Sequence, residues 1–299
     1  MNAPVQTLST AKRALTGAQV GVPPRHVSFT YPHDAARYCF YDGNPLASLL
    51  FVVFSGIFPP GERFFMDTVR HFRERVSDPV LKAQVAGFMG QEALHGREHD
   101  RLNDFFRARG IDVATPERLV QWGLDQLRRL PPRQQLACTC AMEHFTAHLA
   151  EAWLTDDLFR RQADPRMLQL WSWHALEEME HKSVAFDVFE QVGGTVHERR
   201  LAMLLILAVM APPIFASWIA LIARERQLFN VRANRRGLRV LFGRQGFISQ
   251  LMKHMPAFAR RDFHPREQET AGLETIWREK LFGLQGELRE AFTNREAMA

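Results

Sequence analysis

The chain has 299 residues, of which 46% are hydrophobic and 24% charged, with a formal net charge of +5. That length can bury a full core, and the balance of apolar and charged residues excludes a disordered chain. Three cysteines, Cys39, Cys138 and Cys140, make neither a disulfide framework nor a Cys-x-x-Cys metal pair, so the expected compartment is a reducing cytoplasm.

Residues 1–30 carry no apolar stretch of the kind a secretory signal needs, and they read as a flexible leader. Beyond them apolar residues recur at three- and four-residue spacing, with no alternating run between turn signals, so the expected fold class is all-α. The first helix is expected near "FPPGERFFMDTVRHFRERV", where Pro59-Pro60 should start or kink it just before Glu62. "SDPVLKAQVAGFMGQEALHGREHDRLNDFFRARG" opens on a Ser-Asp-Pro start signal and closes on Gly110. "TPERLVQWGLDQLRRLPP" and "RQQLACTCAMEHFTAHLAEAWLTDDLFRRQ" follow as further helices. "DPRMLQLWSWHALEEMEHKSVAFDVFEQVGG" reads as one more, with a Gly-Gly stop.

After Gly194 the character changes. "LAMLLILAVMAPPIFASWIALIA" is a run of 23 uncharged residues, Leu201 to Ala223. About 20 apolar residues suffice to span a bilayer, while Pro212-Pro213 would kink or split the run. Two readings stand: a buried helical hairpin closing one side of a bundle, or membrane contact. From Arg224 to Arg266 there are eleven Lys/Arg against two acids, a net of +9, which leaves −4 for the remainder. This basic segment suits anionic lipid headgroups and lacks the aromatic-glycine patterning of a nucleic-acid module. The organisation expected is a leader over 1–30, a di-metal helical bundle over 31–195, and an apolar hairpin with basic helices over 196–299.

The chemistry resides in two Glu-x-x-His pairs, Glu92 with His95 and Glu178 with His181. Residues at i and i+3 share a helix face and can converge on one ion. Single glutamates, Glu62 and Glu143, precede the pairs, and this order is the ligand pattern of ferritin-like di-metal carboxylate bundles. Four ionised glutamates balance two divalent cations in an apolar interior, and oxygen-rich ligation with a few imidazoles suits iron or manganese. With His174 as zero, Glu178 falls at about 40°, His181 at about −20°, Glu177 at about −60° and Glu180 at about −120° around the helix. His174, Glu178 and His181 thus form one stripe, and Glu180 turns away. Glu177 at the stripe's edge either orients an imidazole or makes an interhelical salt bridge. His99 follows His95 by one turn, as a ligand or as a residue standing behind one, while His144 and His148 point elsewhere and read as packing residues. Asp187 and Asn103 have spacings that permit hydrogen bonds to the imidazoles, and Phe88, Phe145, Trp171, Trp173 and Phe186 read as core and pocket wall.

"FPPGERFF", "QEALHGREH" and "WHALEEMEHKSVAFDV" resemble a bacterial family of predicted metal-dependent hydrolases, over roughly Tyr31 to Arg266. The ligand order also resembles the di-iron arylamine N-oxygenases related to p-aminobenzoate N-oxygenase, which add a third histidine one turn before the last Glu-x-x-His. His174 occupies the matching place, so the resemblance implies seven metal ligands: Glu62, Glu92, His95, Glu143, His174, Glu178 and His181. The expected function is a non-haem di-iron oxidase or oxygenase that activates O2 at a Glu4His3 dinuclear site and oxidises a small hydrophobic substrate. The cofactor would be two iron ions, with Mn/Fe or another divalent pair as variants, and an electron donor of unknown identity. The alternatives are a metal-dependent hydrolase using a dinuclear-metal-bound hydroxide, and a non-enzymatic iron-binding or membrane-associated protein. No nucleic-acid partner is expected; peripheral membrane contact through 201–266 and a homodimer are both permitted.

Overall fold

A computed structural model describes residues 14–31, 33–34 and 40–294. The leader's first part, residues 1–13, and Cys39 lie outside the described residues. The protein is all-α: the described residues form no named strand, and their one isolated bridge joins Val27 to Phe292. The helices are α1 (Pro45–Phe72), α2 (Pro79–Ala108), α3 (Ala114–Leu127), α4 (Pro132–Thr155), α5 (Asp157–Arg160), α6 (Pro165–His181), α7 (Val184–Gln191), α8 (Val196–Val209), α9 (Ala211–Arg224), α10 (Val231–Phe242), α11 (Phe247–Met252) and α12 (Ala271–Phe282). Several begin as local chemistry dictates. Asn44, Asp78 and Asp164 each accept a backbone N–H of the first turn, with a proline directly after the cap. Thr195 and Glu198 close a reciprocal capping box on α8.

α1, α2, α6 and α4 pack in a closed cycle, each against the next and α4 back against α1. Glu62 faces Gly96 and Ser55 faces Asn103, so α1 and α2 run antiparallel. Trp153 donates to Ser172 at one end of the α4–α6 pair while Glu143 meets His181 at the other, so these two are antiparallel as well. A dense aromatic group, including Tyr41, Phe51, Trp153, Phe159 and Trp171, fills one end of this cycle. Burying each such side chain contributes roughly 1.5–3 kcal/mol.

Four expectations need correction. Pro59 and Pro60 do not start α1, which begins at Pro45 and continues through them, so of the two alternatives the start is excluded. An interior proline leaves the carbonyl four residues earlier without its N–H partner. For Pro59 that carbonyl belongs to Ser55, and it accepts from the Asn103 amide of α2 at 3.0 Å. The loss is thereby made good by a neighbouring helix. Second, the long helix expected through "WSWHALEEMEHKSVAFDV" is broken at Lys182–Ser183 into α6 and α7, immediately after His181.

Third, Leu201–Ala223 is neither a hairpin nor buried. α8 and α9 are separated by Met210 alone, whose backbone stays in the right-handed helical region, so they form one bent rod. A reversal needs a loop of roughly 2–5 residues. Among the described residues two stretches are long and apolar enough to cross a membrane, Pro45–Arg75 and Val196–Arg224, and the most apolar part of the first is 83% buried but that of the second only 33%. Fourth, the leader is not loose through residue 30. Val22, Arg25, Val27 and Phe29 are buried, because Arg25 enters an ion-pair network with α6 and Phe29 packs on Trp173.

Candidate metal centre

The helical cycle presents Glu62 from α1, Glu92 and His95 from α2, Glu143 from α4, and His174, Glu178 and His181 from α6 to one another. None is more than 4% exposed. Their ligand atoms form three overlapping groups, each with all atoms within 4.8 Å: Glu62, His95 and His174; Glu92, Glu143 and His181; Glu92, His95 and Glu178. Glu178 stands at the centre. Its Oε1 lies 3.0 Å from His174 Nε2, 3.4 Å from His181 Nε2 and 3.5 Å from His95 Nδ1. Gly96 lets α1 bring its carboxylate in, since a Cβ there would meet Glu62 Oε2 at 3.1 Å.

Each imidazole is held from behind by its other nitrogen. His95 Nε2 donates to Glu177 Oε2 at 3.1 Å, and His181 Nδ1 donates to Gln91 Oε1 at 2.9 Å. For His174 the tautomer follows from a chain that begins at the proline break. Asn103 Nδ2 donates to the Ser55 carbonyl, so Asn103 Oδ1 is what accepts from Ser55 Oγ at 2.7 Å. Ser55 Oγ therefore accepts from His99 Nδ1 at 3.1 Å, leaving His99 Nε2 to accept from His174 Nδ1 at 2.8 Å. The lone pair of His174 Nε2 then faces the carboxylates. Partners of this kind fix a ligand's tautomer and orientation.

Behind these lies a network of fixed charge. Arg25 donates to Glu177 Oε1 at 2.9 Å and to both oxygens of Glu180 at 2.8 Å, and Arg278 of α12 donates to Glu180 at 2.7 Å. Gln91 also donates to Glu180, at 3.2 Å. On another side, a small cavity of about 30 Å³ reaches the cluster at His174 and Glu178, walled by Phe51, Phe58, Trp153, Trp171 and Phe247.

The donor set fits a pair of divalent cations. Both oxygens of Glu62, Glu92 and Glu143, with Glu178 Oε2, His95 Nδ1 and His181 Nε2, are buried without a hydrogen-bond partner. Each such group costs roughly 1–3 kcal/mol when left unsatisfied, which native proteins tolerate in clusters only where an ion completes them. The metal-free chain meets the problem with protons. Burial pushes the Glu62, Glu92 and Glu143 carboxyls well above the usual range, helped at Glu92 and Glu143 by neighbouring carboxylates. At His95 burial opposes protonation, but Glu177 and Glu178 outweigh it and push the imidazole up to about 10. His174 goes the other way, to about 4, through burial and the nearby His95 charge. Burial opposes ionisation of Glu178 too, yet the neighbouring imidazoles of His181 and His95 hold it well below its ordinary range. Ligation requires deprotonated groups, so three glutamic acids and one imidazolium must release their protons. Loading the apoprotein with a divalent metal at neutral pH is expected to release protons. An indicator dye in weak buffer measures this, and release of fewer than about one would contradict the assignment.

All seven residues singled out by spacing thus meet in one buried cluster. His99 and Glu177 stand behind it, and Glu177 both orients His95 and makes the salt bridge to Arg25. Glu180 turns away, into the arginine pair rather than solvent. His144 and His148 pack with His254 and Phe258. Asn103 bonds Ser55 rather than an imidazole, and Asp187 pairs with His264 and Arg266 outside the cluster. Sequence reasoning missed Gln91, Arg25, Ser55 and Gly96. Only Gln91 carried a local signal, one residue before Glu92.

Comparison with curated proteins and with solved structures gives no match. The family model for predicted metal-dependent hydrolases matches residues 23–269, which contain every residue of the cluster. On that match, and with a buried cluster built to hold metal, the chain belongs to the family of predicted metal-dependent hydrolases.

Proposed function

We propose that the protein is a di-iron oxidase or oxygenase, with Glu62, Glu92, His95, Glu143, His174, Glu178 and His181 as ligands in a ferritin-like bundle. The observation carrying this reading is the lining of the cavity at His174 and Glu178. Apart from those two residues and Thr146 it is aromatic and aliphatic: Phe51, Phe58, Leu149, Trp153, Trp171 and Phe247. Hydrolysis needs donors aimed at a developing oxyanion and an acid for the leaving group, and this wall offers no cationic side chain. Its apolar lining and volume of about 30 Å³ suit a molecule as small and weakly hydrated as O2. Iron, when bound, supplies the electrons that activate O2. The chain's own part is to orient and to exclude. Glu178, within reach of all three imidazoles, would hold metal from the centre of the donor set. His99 holds the proton-free Nε2 of His174 toward the site, and Phe58 packs edge-on against both rings.

The second reading is hydrolysis, favoured by the family's description. Apoprotein loaded anaerobically with Fe(II) and then exposed to O2 separates the two. Oxygen uptake with a transient visible band, lost or shifted in His174→Ala, is the expected result. Metal binding without O2 consumption, together with ester or amide cleavage by the zinc- or manganese-loaded protein, would replace oxidation by hydrolysis.

A further inference from the structure

The outer face of the α8–α9 rod carries no polar side chain over more than five turns. Leu201, Leu204, Leu207, Phe215 and Ile219 are 40–64% exposed. The residues exposed between and beyond them as far as Ala223 are alanines and Pro212. At 1.5 Å per residue this is a strip roughly 30 Å long. A solvent-facing helix of a soluble protein carries charge on that side, and α2 does so with Arg97, Arg101, Asp104 and Arg107. The strip continues past the turn after α9. Phe229 is 92% exposed and Val231 74%, and on α10 Leu238 and Phe242 fall within about 20° of Val231, one on each side of it around the helix. Phe215 of α9 and Phe242 of α10 both pack on the buried Trp218, so the two helices share one apolar surface.

Cations border it. Arg235, Arg239 and Arg232 follow the apolar stripe of α10 at about 40°, 80° and 100°, and none makes an ion pair with a described residue. No acid occurs between Glu225 and Asp262. A second protein surface would have to bring its own carboxylates to such a rim, whereas an anionic lipid surface offers apolar depth and negative charge together. The opposite face of the rod is pinned to the protein: α8 and α9 pack on α4, α3 and α1, Trp218 donates to the Leu46 carbonyl, and Arg199 donates to the Phe258 and Arg260 carbonyls. A rod held along its length cannot cross a bilayer; it lies in the plane of one leaflet.

We propose that the α8–α9 rod and α10 form a monotopic docking surface for an anionic membrane, with the leucines and Phe229 in the acyl boundary and the arginines at the headgroups. α11 follows α10 directly and supplies Phe247 to the cavity wall, so docking sets the cavity's outer helix beside the lipid.

The test is flotation of the full-length protein with vesicles of phosphatidylcholine alone or with added phosphatidylglycerol. Binding to the anionic vesicles is expected, and it should weaken as salt approaches about 1 M, where the screening length falls to roughly 3 Å. Replacing Arg232, Arg235 and Arg239 with serine should lower affinity for anionic vesicles about a hundredfold, at roughly fivefold per basic residue. The double change Leu204→Asp and Phe229→Asp should abolish binding to either vesicle. All five positions are exposed, so the circular dichroism spectrum should not move. Failure of the native protein to float with anionic vesicles overturns the proposal. So does a dimer in light scattering that Leu204→Asp and Phe229→Asp convert to monomer while vesicle binding is absent. Neither result bears on the metal cluster, which lies on the far side of these helices' buried face.

Discussion

Glu178→Ala is expected to leave a folded chain that no longer holds its metal pair. Glu178 Oε1 is the carboxylate oxygen that comes within 3.5 Å of all three imidazoles, and its second oxygen is buried without a partner. Losing a residue that merely supports a ligand lowers metal affinity roughly 10- to 100-fold; losing one at the centre of the donor set should exceed that range. The fold has other support, because the aromatic group around Phe51 and Trp171 lies to one side of the cluster. Glu178→Gln, which keeps volume and one acceptor oxygen, separates charge from packing: it should lose metal nearly as completely while melting close to the native protein. Elemental analysis after dialysis gives the answer. A Glu178→Ala protein that retains the full metal content would rule out the central placement of this residue.

The largest effect on stability is expected at Arg25. Its guanidinium is 7% exposed and its partners Glu177 and Glu180 have fully buried side chains, so each carboxylate relies on it for counter-charge. Arg25→Ala takes that counter-charge from both. Removing one member of a buried ion pair costs about 3–5 kcal/mol, mostly as the uncompensated charge left behind. Arg278 remains to serve Glu180, but Glu177 keeps only His95. The loss should therefore fall mainly on Glu177, and through it on the orientation of His95. Urea denaturation should show the midpoint falling with an unchanged slope, and metal affinity should drop alongside. The triple variant Arg25→Met, Glu177→Gln, Glu180→Gln should recover a good part of the stability and none of the metal affinity. A change below about 1 kcal/mol for Arg25→Ala would show that the pair is not the buried network described.

The cluster was readable because each Glu-x-x-His pair sits at a spacing the α-helix imposes, and because four glutamates in that order have little use in an apolar core without cations. The all-α class followed from periodicity for the same reason. What escaped was whatever depends on a second chain segment. Pro59 and Pro60 carry a local instruction to break a helix, and the sequence cannot say that Asn103 will satisfy the Ser55 carbonyl. The Arg25 contact spans 152 residues and left no pattern. Helical angles set Glu177 at the stripe's edge and turned Glu180 away, but they could not show that one orients a ligand candidate and the other anchors both arginines. The apolar run of Leu201–Ala223 left a buried hairpin and membrane contact both open, because composition reports hydrophobicity and not which face is covered. One face of that rod packs on α4, α3 and α1, and the other is covered by no described residue.

The arginine pair has a further consequence for the life of the polypeptide. Arg25 is made early and Arg278 late, and they grip a helix whose residues lie 152 and 98 positions from them. Glu180 is held from both directions at once, and His95 takes its bearing from Glu177 beside it. A chain still on the ribosome makes α1, α2, α4 and α6 before it reaches Arg278. The hold on Glu180 is therefore completed only once α12 has been made, and a chain shortened ahead of α12 is expected to keep the contacts of Arg25 to Glu177 and Glu180 and to lose the one from Arg278.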